Sequence, residues 1–434
     1  MAPKTDMLKL SPPQFVFASN VVCAALGLAQ GLIVARYLGP SAYGVMAILA
    51  TLGGVAANFW DVRLIDLAIR QHYALAKETE SPQSAQTASM QLALVLNAGL
   101  ALLMGISSVL LAILFSPFFT TSQLAPWWIA AQGIGIGGSF LVGTFQSMQR
   151  LADDFYSFGL VRVLTQFIAL PVTVLFMVAQ PDLSGYYGAL VATIILNLAV
   201  STFFLAHLWQ KHFGMSLAAS GMLSALPLYR GQMRFIFSAN ILSYSKMLTR
   251  SGDVLVFGFF ASDAATGIYR LARTLADGLG IVNTSLSQYY YPTFMRLLHE
   301  GREAEISALI HRFVGYALAA LVVILPAAFG TLHLLNGWIL QDAYEGLPLA
   351  CIILMTGFFW TAGIHNWLWP FLVERNQTHR MALWAMTGGL LQLGLIALLP
   401  PVPAWAALGT PLYYLVCYMP LLLWWKRECR PISS

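Results

Sequence analysis

The chain is 434 residues long, 58% hydrophobic and only 9% charged, whereas a soluble domain carries roughly 25% charged residues. With a mean hydropathy of +0.71, a soluble globular protein is excluded, and the composition reads as a polytopic membrane protein. The net charge is +5, and neither the four cysteines nor the eight histidines make a ligand-spaced group, so no metal centre or disulfide framework is expected.

About 20 apolar residues as helix cross the ~30 Å of a bilayer core. Such stretches occur about twelve times, near 15–35, 43–62, 85–115, 125–148, 155–180, 186–209, 235–260, 265–294, 307–330, 346–372, 381–400 and 404–425. The first run is long, contains Asn20 and ends in a turn, so it is expected to be a span rather than a cleaved signal, with Met1 and its tail inside. On that placement seventeen Lys and Arg fall in inside segments and only Arg36 outside. The positive-inside rule then gives an even number of spans and both termini cytoplasmic. The basic excess reports orientation and requires no nucleic acid. Five of the 23 basic residues remain, all inside predicted spans: Arg162, Lys246, Arg250, Arg270 and Arg273.

Spans one and two meet at "ARYLGPSAYG" (35–44), a corner of small residues with a Gly-Pro turn. At the inner end of span two, "WDVRLIDLAIRQ" places Arg63, Asp66 and Arg70 at spacings of three and four. They are a candidate inner gate, with snorkelling interfacial side chains as the simpler alternative. "GIGIGG" in span four spells a dinucleotide-binding pattern but has no preceding strand. Its glycines are expected to let helices pack closely, so no cofactor is expected. Asp153 and Asp154 precede span five as helix-capping residues, and Arg162 lies two turns into it.

Residues 211–234 lack 20 apolar residues in a row and read as a cytoplasmic linker between an N-terminal lobe (1–210) and a C-terminal lobe (235–434). Aligning Gly44 with Gly267 sets "YLGPSAYGVMAILA" beside "FFASDAATGIYRLA", an offset of 223 residues, close to half the chain. An internal duplication would put the two corners at equivalent places. Spans seven and eight carry the densest charge. Lys246, Arg250 and Asp253 share ~60° of one helix face, and Arg270, Arg273 and Asp277 share ~60° of the next. Thr266, Gly280, Thr284 and Gln288 extend the second stripe. Charges within a span need partners or a wet cavity. They could neutralise one another, as Arg250 with Asp277, or face cargo. Four cations against two anions favour an anionic cargo such as a diphosphate, which matches the forked donors of Arg. Trp367, Trp369, Trp424 and Trp425 read as an interfacial belt. Asn376, in "NQT", falls in a predicted inside loop, where no glycan is expected.

With those residues in view, "ARYLGPSAYGVMAI" resembles the entry corner of bacterial polysaccharide flippases, the polysaccharide transporter family of the multidrug/oligosaccharidyl-lipid/polysaccharide exporter superfamily. "GDVLVFGFFASDAATGIYRLARTLADG" is similar to that family's seventh and eighth helices, and "WDVRLIDLAIRQ" departs from its usual Asp-Leu-Gly-Leu pattern. The resemblance implies an all-α polytopic membrane protein with two six-helix lobes around a central cavity, working by alternating access. It implies an anionic lipid-linked oligosaccharide as cargo, membrane lipid around it, other polysaccharide-assembly membrane proteins as partners, and the bacterial inner membrane as location. The residues leave H+ or Na+ open as the driving ion. A cation-coupled multidrug exporter would carry surplus carboxylates or aromatics in its cavity. A membrane-embedded sugar transferase or polymerase would carry catalytic groups on a sizeable outer loop.

Overall fold

The computed structural model describes residues 12–62, 64, 82–151, 154–213, 244, 247, 251–375 and 377–428, and these contain helices and turns but no strand. The first helical run, α1 (Pro12–Trp60), is broken at Gly39, whose φ is 69° and ψ 172°, with Pro40 next. Glycine adopts a left-handed φ without steric cost, and the fixed φ of proline suits the first turn of a new helix. The break is required by length, since 49 residues of straight helix would run ~70 Å, more than twice the bilayer core.

After α1 come α2 (Pro82–Phe119), α3 (Pro126–Leu151), α4 (Phe155–Ala179) and α5 (Leu183–Phe213). The second half holds α6 (Asp253–Phe260), α7 (Asp263–His299), α8 (Glu303–Trp338), α9 (Leu347–Trp360), a π-turn (Thr361–His365), α10 (Asn366–Glu374), α11 (Thr378–Leu398), α12 (Pro403–Ala407) and α13 (Gly409–Glu428). Local sequence sets the starts. Proline opens α2, α3 and α12, where its missing amide hydrogen costs nothing. Asp154 caps α4, accepting from the Ser157 amide at 3.0 Å, as expected of that pair, while Asp153 lies outside the described residues. Ser262 caps α7, accepting from the Ala265 amide at 3.3 Å.

Among the described residues eight helices are long and apolar enough to cross a membrane. Twelve spans were expected, and the difference has physical causes. The Gln14–Trp60 run counts once but is broken at Gly39. As described, α6 is eight residues long, and α9 and α10 are separated by the π-turn. α7 has 37 residues but carries Arg270, Arg273 and Asp277.

The chain divides into two compact units. Unit one comprises Met1–Gln30, Ala56–Leu111 and Ala125–Ile241, as far as these are described. Its helices approach through glycine: a Cβ on Gly133 would stand 2.8 Å from the Gly105 carbonyl oxygen, and one on Gly137 2.6 Å from that of Ala101. This is the packing expected of the "GIGIGG" run, since lipid tails are as apolar as the helices and close fit must hold them together. Unit two comprises Gly31–Val55, Ala112–Leu124 and Leu242–Ser434. Its core gathers Phe294, Phe313, Trp367, Leu368, Cys417 and Tyr418. Trp367 therefore departs from the belt expectation: it is 2% exposed, and its Nε1 donates to the Gly363 carbonyl at 2.7 Å.

Candidate functional site

The charged stripes meet in unit two. Asp253, the first residue of α6, is fully buried. Its carboxylate accepts from the Val254 amide at 2.8 Å, from the Tyr269 hydroxyl at 2.9 Å and from Arg273 Nη1 at 3.0 Å. Arg273 Nη1 also donates to Thr410 Oγ1 of α13 at 3.1 Å, and its Nε lies 3.7 Å from Asp277 Oδ1. Three helices are thus tied by one guanidinium. Its partners are a fully buried carboxylate and one whose side chain is 59% exposed. A buried carboxylate with three donors is a satisfied group, and removing any one of them would leave charge without compensation.

Arg270, one turn before Arg273 on α7, is half-buried and within electrostatic reach of Tyr43 and Asp253. Among the described residues it forms no ion pair. The four described charges Asp253, Arg270, Arg273 and Asp277 sum to zero. The surplus of two counted from sequence rests on Lys246 and Arg250, which lie outside the described residues, as do Arg63, Asp66 and Arg70 of the candidate inner gate. The side chains of Thr284 and Gln288 are also outside the described set. Two members of the network were not singled out in the sequence. Tyr269 stands four residues before Arg273, a spacing that puts both on one face. Thr410 is 137 residues away in the chain and gives no local signal.

The two corners aligned in the sequence touch each other within unit two. A Cβ on Gly44 would stand 1.8 Å from the Asp263 carbonyl oxygen, and one on Gly267 would stand 2.0 Å from that of Pro40. Asp263 follows Pro40 by 223 residues, as Gly267 follows Gly44, so the contact is made twice with roles exchanged. Each corner is also held by a turn from elsewhere in the chain. Thr120 Oγ1 and Ser122 Oγ each donate to Asp263 Oδ2 at 2.9 Å. The Tyr344 hydroxyl donates to the Ala35 carbonyl at 2.7 Å, in the last turn before the Gly39 break, where helix carbonyls run out of amide partners.

A family model described as polysaccharide biosynthesis protein matches residues 33–336. No sequence among the curated proteins matches the chain. Among solved structures, the chain is similar to the lipid II flippase MurJ in its inward closed conformation, with a TM-score of 0.67 and 12% identity over 96% of this chain and 88% of that one. It is also similar to a point mutant of the Vibrio cholerae MATE transporter VcmN, with a TM-score of 0.53 and 12% identity over 96% of each chain. A transporter of the MOP superfamily from Pyrococcus furiosus, whose binding pocket has reversed polarity, gives 0.52 and 15% over 99% of this chain and 98% of that one. At these identities the likeness shows the fold, a twelve-helix membrane protein of two six-helix lobes.

Proposed function

The chain belongs to the polysaccharide biosynthesis protein family, and from that premise we propose that it flips a polyprenyl-diphosphate-linked oligosaccharide from the cytoplasmic to the outer leaflet of a bacterial inner membrane by alternating access. The solved chains that share its fold are a flippase and transporters, and the cargo named for the first of these is a lipid. The observation that carries the proposal is Arg270, a half-buried cation in a helix of the membrane domain with no acid paired to it among the described residues. Such a charge is tolerated where water or a counter-anion meets it, and a diphosphate supplies the counter-charge. Arg273, held by Asp253, would keep α6 and α7 in register beside it.

The test is translocation of a fluorescent polyprenyl-diphosphate oligosaccharide in proteoliposomes. Arg270→Ala is expected to lower the rate tenfold or more, the scale of one lost charge-assisted contact of ~1.5–3 kcal/mol. Arg270→Lys should recover part of it, because a point charge keeps the attraction and loses the fork. An unchanged rate in both variants, or export of organic cations in place of the lipid, would refute the reading. Glycosyl transfer by the purified wild type would refute it in favour of an enzyme.

A further inference from the structure

In unit one, α4 turns an apolar stripe outward: Leu160, Leu164, Phe167, Leu175 and Val178 are all exposed. At 100° per residue, Arg162 stands about 180° from the middle of that stripe, on the face of the buried Phe158, Thr165 and Ala169. It therefore does not reach water by snorkelling along the lipid side. It meets α1 instead, where its Nη1 donates to Asn20 Oδ1, and its guanidinium carbon lies 5.5 Å from the centre of the Phe158 ring. Both neighbours are neutral. Among the described residues no carboxylate lies within ion-pair distance of Arg162.

The seam between α1 and α4 stays polar further along. Gln166 Nε2 donates to Gln30 Oε1 at 3.0 Å, and Gln30 Nε2 donates to Thr173 Oγ1 at 2.7 Å. From Arg162 to Thr173 this polar line runs ~16 Å along the helix. An inward-facing cation on a span calls for a counter-charge, and Asn20 occupies only one of the five guanidinium donors. The remaining fork matches two oxygens of a phosphate.

We propose that Arg162, held in place by Asn20, is a phosphate-binding site on the α1–α4 seam, with the amides of Gln30 and Gln166 beside it as partners for hydroxyl groups. The phosphate could be supplied by a bilayer lipid headgroup or by the diphosphate of the cargo, and only the second source rests on the flippase reading.

Binding of two phosphate probes to the purified full chain in detergent tests this, each against its phosphate-free counterpart: farnesyl diphosphate against farnesol, and phosphatidic acid against diacylglycerol. The wild type should prefer at least one phosphate probe. Arg162→Gln should weaken that probe about tenfold or more, and Arg162→Lys should fall between them. Dependence on Arg162 for farnesyl diphosphate alone assigns the site to cargo, and dependence for phosphatidic acid assigns it to a headgroup. The double variant Asn20→Leu/Arg162→Leu removes both hydrogen-bonding partners at once, so it is expected to fold and to lose the preference even where Arg162→Gln does not fold. Equal binding to wild type and a folded variant, or no preference for phosphate over its counterpart, overturns the site. So does failure of both variants to fold, which would make Arg162 a packing residue. A wild type that binds phosphatidic acid through Arg162 but moves no lipid-linked oligosaccharide would refute the flippase reading and leave this site standing.

Discussion

At the scale of single residues, the Asp253–Tyr269–Arg273–Thr410 network separates structural from cargo-facing charge. Asp253→Ala should leave Arg273 short of its buried counter-charge and lower stability by about 3–5 kcal/mol. Tyr269→Phe removes one donor to a buried carboxylate and should cost about 1–3 kcal/mol. Asp253→Ala combined with Arg273→Met should recover much of the first loss, because no uncompensated charge remains. Melting of the detergent-solubilised protein checks all three, and a double variant no more stable than Asp253→Ala would show that the pair is not the lock described. Helical spacing alone put Asp253 on one face and Arg273 and Asp277 on another, which is why this cluster was legible from sequence. Spacing cannot choose partners across helices. Arg250 with Asp277 was as good a pairing on paper as Arg273 with Asp253, and the observed choice depends on how α6 lies against α7. Asn20 and Arg162 are 142 residues apart in the chain, so their pairing too was invisible.

At the scale of elements, the two corners work as a mutual fit. Gly44→Ala and Gly267→Ala each drive a Cβ to about 2 Å from a backbone carbonyl of the other corner, and backbone cannot yield as a flexible side chain does. Each is expected to destabilise by about 1–3 kcal/mol. Gly31→Ala, on the same α1 but with nothing within 4 Å of the added Cβ, should be neutral or stabilising by up to ~1 kcal/mol, as expected for alanine in a helix. Thermal melting of the three variants distinguishes a steric contact from a general intolerance of substitution. The corners and the "GIGIGG" run were readable because glycine at a turn or within a span has few uses. The straps were not: Tyr344 reaches Ala35 across 309 residues, and nothing in either stretch announces the bond. Nor did Trp367 reveal its burial, because a tryptophan near a span end suits a core as well as a belt.

At the scale of the whole molecule, orientation is the prediction that the sequence carries by itself. Reporters fused after Arg380 or at Ser434 should read cytoplasmic, and reporters inserted at Asp182 or Asp342 external; reversal of any one would mean the span count is wrong. Membrane class and helix content followed directly from composition, since a chain with so little charge has no other stable environment. The number of spans is plainer in the sequence than in the helices, because a glycine break, a π-turn and a polar α7 each interrupt the uniform apolar helix that defines a span. The exchange of roles between Gly44 with Asp263 and Gly267 with Pro40 has a further consequence. A contact in which the same patch serves as both faces is isologous, the kind that joins identical subunits across a two-fold axis. Here two corners of a single polypeptide supply the key and the lock of such a contact. A bulkier residue in one corner is therefore felt at the backbone of the other, although 223 positions separate them.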